Sequence, residues 1–259
     1  MLTENEKYFF DLRGYLVIEN AIDAATLEIL NNAVDEKIAV VEDPDFTTKR
    51  LSQCLDWGSE FMDLMTTPNV FPKLQEIIGV SVRLDHVYCD IIRSGLSPIG
   101  ASLHGGQTPF EPGQFYHFQN GNIYNGLTVV AFNLQDVNEG DGGFACVPGS
   151  HKSNLPHPID WKDMSESVHE TITPVIGKAG TAIIFTEALT HGGLPWKGKS
   201  ERRSLFYKYS PLSCTFSPSS FSHVNYENLS DEQKAVLVRP QSSNFPLDRV
   251  IAGEENNRK

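Results

Sequence analysis

The sequence predicts a mostly β structure of the α+β class, in which N-terminal helices pack on an antiparallel sandwich or jelly roll. Two helical patterns occur before residue 80, and the chain after it consists largely of short β-branched or aromatic runs. Glycine, proline, asparagine and aspartate separate these runs, as is typical of turns. With 259 residues and no internal repeat or low-complexity linker, we expect a single domain over residues 1–259.

The individual elements follow from periodicity and end signals. Residues 14–19 predict a strand, and Asp23 is placed to cap a helix whose apolar residues recur at helical spacing over 24–42. A second helix is predicted near 70–78, ended by Gly79. The further predicted strands are 83–92, 127–136, 143–147, 171–176, 181–185 and 204–209.

Composition narrows the function. The chain has 21 Lys and Arg against 33 Asp and Glu, a formal net charge of −12, which disfavours binding to nucleic acid or to an anionic membrane. It has no apolar run long enough for a membrane helix and no secretory signal, so we expect a cytoplasmic protein that acts on a small molecule. The four cysteines form no CxxC pair, and we expect reduced, mostly buried thiols.

Two features suggest chemistry. The stretch 94–126 is long, rich in glycine and aromatic residues, and without a strand pattern, which is typical of a functional loop. Nearer the C-terminus, an apolar strand leads to His191, and Arg202 and Ser204 are two residues apart on the next predicted strand. Such a pair faces one way and suits a carboxylate, although alone it also fits a charged surface strand.

The segment 141–151 carries the most specific pattern, a Gly-rich turn followed by Pro148, Gly149, Ser150 and His151. With it, residues 8–209 resemble the phytanoyl-CoA dioxygenase family in order along the chain. The resemblance implies a cupin-like jelly roll, also called a double-stranded β-helix, that uses Fe(II), 2-oxoglutarate and O2.

By this resemblance His191 takes the place of the distal iron ligand. Arg202 takes the place of the arginine that binds the far carboxylate of 2-oxoglutarate, and Ser204 completes an Arg-x-Ser pattern. The implied reaction is the oxidation of an unactivated C–H bond.

The family also uses a proximal His-x-Asp motif, and here the sequence departs from it. None of the eight histidines has an acid two residues downstream. Two candidates lie in the expected region: His104, with Gly106 in place of the acid, and His117, with Gln119 there. We favour His104 as the metal ligand, because its distance along the chain from His191 suits the family better and its two glycines leave room beside a metal.

The missing acid leaves three functions open. In the first, which we favour, a carboxylate from elsewhere, such as Glu111 or Asp90, or a water molecule completes the site, and the protein is an oxygenase. In the second, chloride occupies the position of the missing acid, as in relatives with His-x-Gly, and the protein is a halogenase. In the third, the protein is a cupin-like binding module without catalysis, against which the intact His191, Arg202 and Ser204 argue.

Four further residues are weaker candidates for the site. Phe132 is placed to flank the cosubstrate, and Asn120, Tyr124 and Trp196 to contact the substrate. Each also has a simpler interpretation, Phe132 as a core aromatic residue, Asn120 and Tyr124 as solvated loop residues, and Trp196 as cover for a sheet edge.

Overall fold

Strands dominate the middle of the chain and helices its two ends in the computed structural model, which describes residues 1–79, 81–97, 100–242 and 246–256. The helices in these ranges are α1 Glu4–Arg13, α2 Ala24–Ala39, α3 Ser59–Asp63, α4 Phe71–Ile78, α5 Asp231–Val236 and α6 Leu247–Asn256. The strands are β1 Tyr15–Ile18, β2 Thr48–Ser52, β3 Val82–Ile92, β4 Tyr116–Gln119, β5 Asn122–Asn125, β6 Thr128–Asn133, β7 Gly143–Cys146, β8 Thr173–Pro174, β9 Ala182–Thr186, β10 His191–Leu194 and β11 Arg202–Pro211.

The larger sheet has the strand order β1-β9-β6-β11-β3-β2, and all of its neighbouring strands are antiparallel. Every residue of β6 and β9 is buried. Strands buried on both faces need cover on both sides of the sheet. Helices supply that cover on one side and a smaller sheet supplies it on the other.

The helical side forms the main hydrophobic core. Phe10 of α1, Leu30 of α2 and Leu74 of α4 are fully buried and pack in one cluster with apolar residues of the larger sheet. Thr3 caps α1 in a capping box with Glu6, and the carboxylate of Asp23 accepts a hydrogen bond from the first turn of α2. These caps fix where the helices begin and so how they lie on the sheet.

The smaller sheet has the order β10-β7-β8 and faces the other side of the larger one. A second apolar cluster joins the two sheets, with Ala131, Ile183 and Phe206 from the larger sheet and Phe144 and Cys146 from the smaller. Two antiparallel sheets packed in this way confirm the predicted jelly-roll class, and the described strands do not close into a barrel.

Most predicted elements are present, with shifted ends. The strand expected at 171–176 is reduced to β8. The elements without a predicted counterpart are α1, α3, α5, α6, β2, β10 and the β4–β5 hairpin, which lies within the stretch expected to be loop throughout. β2 is a polar edge strand, so it lacks the apolar alternation by which strands are recognised. In the ranges given above, no helix combines the length and apolar character needed to cross a bilayer.

Candidate metal and carboxylate site

A cleft between the two sheets gathers ionisable side chains from several strands and from the turn between β9 and β10. Its charged and imidazole side chains belong to Arg50, Asp90, His104, Glu187, His191, Arg202 and Lys208. Residues far apart in the sequence therefore meet in one place, with apolar walls that include Phe144, Phe185 and Phe206.

His104 and His191 are held side by side by their backbones. The amide of His104 donates to the carbonyl of His191 at 2.8 Å, the amide of His191 donates back at 2.9 Å, and the ring centroids lie 4.3 Å apart. Nδ1 of His191 lies 2.7 Å from the carbonyl oxygen of Leu189, which leaves Nε2 to present its lone pair. Burial lowers the pKa of His191 to about 4, so the ring is neutral at pH 7.

Glu187 brings a carboxylate to this pair from the turn after β9. The ligand atoms of His104, Glu187 and His191 all lie within 4.8 Å of one another. One carboxylate oxygen of Glu187, Oε1, accepts a hydrogen bond from Nζ of Lys208 at 2.6 Å. Burial favours the neutral carboxyl, but Lys208 and the two neighbouring imidazoles together outweigh it and lower the pKa of Glu187 to about 2. Two imidazoles and a carboxylate are a donor set that suits Fe(II).

Arg202 and Ser204 project from one face of β11, and both are buried. Nε of Arg202 and Oγ of Ser204 have no hydrogen-bond partner among the described residues. A buried polar group without a partner costs about 1–3 kcal/mol. A carboxylate bound between them would satisfy both donors, because a guanidinium and a hydroxyl can each donate to its oxygens.

The Gly-rich turn and the Pro-Gly-Ser-His segment support both halves of the cleft. Gly143 has φ of +86°, and a Cβ there would stand 3.2 Å from Nε of Arg202. Oγ of Ser150 accepts a hydrogen bond from the amide of Thr190, the residue before His191, at 2.8 Å. His151 is fully buried, and its Nε2 lies 3.0 Å from the carbonyl oxygen of Asp11 in α1.

The two carboxylates expected to replace the missing acid lie elsewhere. Asp90 lines the cleft, but Arg50 binds both of its oxygens at 2.7 Å, and the same guanidinium lies 3.9 Å from the ring centroid of Tyr88. Glu111 is exposed in a turn and accepts from the amide of Gly113. Neither acid belongs to the group of ligand atoms around His104 and His191.

The alternative histidine and the vacant acid position both face away from the cleft. His117 is exposed on β4, with its ring 5.4 Å from that of Phe115. Gly106 has φ of +105°, and a Cβ there would stand 2.9 Å from Oγ1 of Thr190. Gly106 and Thr190 line a different hollow, which shares no lining residue with the cleft.

The weaker candidates are not brought to the cleft. Phe132 is fully buried in the main core on the opposite face of β6, with its ring 5.7 Å from that of Tyr207. Trp196 is buried and its Nε1 donates to the carbonyl of Ser200. Asn120 and Tyr124 lie on the exposed β4–β5 hairpin, outside the residues that line the cleft.

Sequence reasoning missed Glu187 and Lys208. One signal was present: Glu187 is an acid directly after the buried strand AIIFT and four residues before His191. An acid at the end of an apolar strand, close in sequence to a candidate ligand, is itself a candidate metal ligand. Lys208 carried no such signal, because it continues a strand that already contains several cationic residues.

The chain resembles known proteins both in sequence and in fold. A sequence profile of phytanoyl-CoA dioxygenase (PhyH) matches residues 10–204. HygX from Streptomyces hygroscopicus with nickel and 2-oxoglutarate bound has a similar fold, with a TM-score of 0.75 and 23% identity over 83% of this chain and 89% of HygX. The HygX structure that also holds hygromycin B gives a TM-score of 0.70 at 22% identity over 83% and 89%. The iron-bound structure gives 0.71 at 22% over 83% and 88%. No curated protein sequence matches the chain.

Proposed function

Because this chain belongs to the phytanoyl-CoA dioxygenase family, whose members are Fe(II)/2-oxoglutarate-dependent oxygenases, we propose that it oxidises an unactivated C–H bond of a small molecule. The family resemblance recognised in the sequence is thereby confirmed. The observation that carries the proposal is one cleft with two adjoining sites. The imidazoles of His104 and His191 lie at one and the guanidinium of Arg202 lies at the other, with the buried, unpartnered hydroxyl of Ser204 on the same face of β11 as Arg202.

The residues present fit the two groups that the family uses. His104 and His191 would hold the iron, and the guanidinium of Arg202 with the hydroxyl of Ser204 would hold the far carboxylate of 2-oxoglutarate. When bound, iron and 2-oxoglutarate with O2 supply the oxidising power, with succinate and CO2 as co-products.

The protein's own contribution is positioning and the exclusion of water. The hydrogen bond of Nδ1 of His191 to the carbonyl of Leu189 fixes the ring and directs Nε2 to the metal. The guanidinium of Arg202 packs against Gly143 and would determine where a dicarboxylate lies relative to the histidines. Phe144, Phe185 and Phe206 make the walls apolar, which strengthens charge interactions inside the cleft.

Oxidation is favoured over the other two functions. A halogenase needs room for chloride beside two histidines, whereas here the Glu187 carboxylate already lies among the ligand atoms. A binding module without a metal has no use for two imidazoles and a carboxylate whose ligand atoms lie within 4.8 Å of one another. A small-molecule substrate is also consistent with HygX, whose structure holds hygromycin B.

The experiment that tests the proposal is an anaerobic titration of the metal-free protein with Fe(II) and 2-oxoglutarate. The visible charge-transfer band of the chelate is followed with and without chloride, and succinate is measured after O2 is admitted. Arg202→Met serves as the variant that should lose the band at moderate 2-oxoglutarate concentrations.

We expect a band that does not respond to chloride, followed by succinate formation. A band that shifts with chloride would favour halogenation instead. Without a band or succinate in either condition, the oxygenase proposal is wrong and the cleft belongs to a binding protein.

A further inference from the structure

We propose that Glu187 supplies the metal-binding carboxylate that the segment His104-Gly105-Gly106 lacks, and that Lys208 is its positioning residue. The inference rests on the proposed function, because it concerns the metal of that same cleft. The carboxylate ligand would come from the turn between β9 and β10, whereas the family motif would place it two residues after His104.

Position 106, where the family motif has its acid, does not face the cleft. A Cβ at Gly106 would approach Thr190 rather than the cleft, and Gly106 lines the separate hollow. Its neighbour Gly105 packs so tightly that a Cβ there would stand 2.6 Å from the carbonyl oxygen of Glu187. The glycines therefore let the His104 segment lie directly against the turn that carries Glu187.

Glu187 has the reach and the free oxygen that a ligand needs. Its Oε2 lies 3.8 Å from Nε2 of His191, a separation that a metal ion bound to both atoms would span. Its backbone amide donates to the carbonyl of Leu127 at 2.9 Å, so the residue is anchored at the end of β9. The other carboxylate of the cleft, Asp90, is fully engaged by Arg50.

Lys208 occupies the remaining oxygen of Glu187. Its Nζ donates to Oε1, and its side chain, 13% exposed, lies with Nζ 5.6 Å from the ring centroid of Tyr88. A ligand carboxylate whose second oxygen is hydrogen-bonded by a fixed neighbour keeps its orientation, and loss of such a neighbour typically weakens metal binding about 10–100-fold. Lys208 thus directs Oε2 to the histidines.

The test measures binding rather than turnover. Co(II) is titrated anaerobically into the metal-free protein by calorimetry, and its visible ligand-field spectrum is recorded. The variants are Glu187→Gln, Glu187→Asp, Lys208→Met, Lys208→Arg and the double variant Glu187→Gln with Gly106→Asp. Lys178→Met is the matched control, because Lys178 is exposed and pairs with Asp136 away from the cleft.

We expect Glu187→Gln to weaken Co(II) binding at least about tenfold and to change the spectrum. Glu187→Asp, which keeps the charge but shortens the reach, should also bind more weakly, and it keeps the test valid should the Gln variant fail to fold. Lys208→Met should bind about 10–100-fold more weakly than wild type, with recovery in Lys208→Arg. Lys178→Met should match wild type, and Gly106→Asp should restore nothing.

Wild-type affinity and spectrum in Glu187→Gln would show that Glu187 is only the ion-pair partner of Lys208, and would overturn the inference. Restoration by Gly106→Asp would overturn the part of the inference that turns position 106 away from the cleft, because a side chain there would then reach the metal. Unchanged Co(II) affinity in Lys208→Met would show that Lys208 does not position Glu187. These failures are distinct from failure of the proposed function, which is judged on the wild-type chelate band and succinate alone.

Discussion

The backbones of His104 and His191 hydrogen-bond to each other in both directions, at 2.8 and 2.9 Å. The two imidazoles therefore share a cleft because two segments of chain pair as in an antiparallel sheet, through backbone hydrogen bonds that need no metal. A site that is preformed in this way does not spend binding energy on assembling its ligands.

The pairing leads to a prediction that separates the two candidate histidines. His104→Ala should abolish the Fe(II)/2-oxoglutarate charge-transfer band at micromolar metal, because one of two imidazole ligands is lost. His117→Ala should keep the band, since His117 is exposed on the β4–β5 hairpin. An anaerobic titration of both variants decides the matter, and the opposite result would make His117 the ligand.

Adjacent arginines on β11 should behave differently. Arg202→Met should weaken 2-oxoglutarate binding at least about 30-fold, because truncating one partner of a buried charge pair costs about 2–5 kcal/mol. Arg203 instead pairs with Glu201 and Asp35, so Arg203→Met should lower the melting temperature and leave the affinity unchanged. Calorimetry with Ni(II) in place of Fe(II) measures the affinity. Equal losses in the two variants would contradict the assignment of Arg202.

Gly105 should tolerate no side chain. It has φ of +72°, and a Cβ would stand 2.6 Å and 2.7 Å from the carbonyl oxygens of Glu187 and Leu189 in the turn between β9 and β10. Gly105→Ala should therefore lose metal binding and cost more than the roughly 1–2 kcal/mol of left-handed strain alone. Gly140→Ala, at φ of +84° with nothing near its Cβ, should show only that strain. Urea unfolding and Co(II) titration test both, and metal binding retained by Gly105→Ala would be the contrary result.

His151 should make the metal-free protein less stable in mild acid. Burial lowers its pKa to about 4, whereas the unfolded chain has a pKa of about 6.5. Between those values the unfolded state binds the proton and the folded state does not, so the free energy of unfolding falls as pH falls. At pH 5 the loss is on the order of 2 kcal/mol, and above about pH 6.5 it vanishes.

Urea unfolding of wild type and His151→Gln at pH 7, 6 and 5, with metal chelated, isolates this contribution. The variant's stability should vary less with pH than that of wild type, because other titrating groups are common to both proteins. Equal pH dependence would mean that His151 does not titrate as its burial indicates.

The sequence predicted the fold class, the helices α2 and α4 and most strands of the larger sheet, because apolar periodicity reports directly on burial. It could not say which face of β6 meets the cleft, since all six residues of that strand are buried. Phe132 was accordingly expected beside the cosubstrate, whereas it packs on the helical side of the sheet.

The carboxylate of Glu187 was not predicted, for a different reason. Motif reasoning looks for ligands at fixed short spacing, and Glu187 approaches His104 only through pairing of distant segments. The direction in which position 106 faces was also not predictable from sequence. It depends on a φ angle of +105°, which glycine can adopt but which the sequence does not reveal.

Ligand binding at Nε of Arg202 and Oγ of Ser204, which have no partner among the described residues, would couple the cleft to the folding equilibrium. A dicarboxylate that binds only the folded chain stabilises it by mass action, by about 2.7 kcal/mol at a hundredfold excess over the dissociation constant. If 2-oxoglutarate is that dicarboxylate, its concentration would set the fraction of molecules that are unfolded and open to proteolysis. The resistance of this protein to proteolysis would then rise with the supply of its cosubstrate.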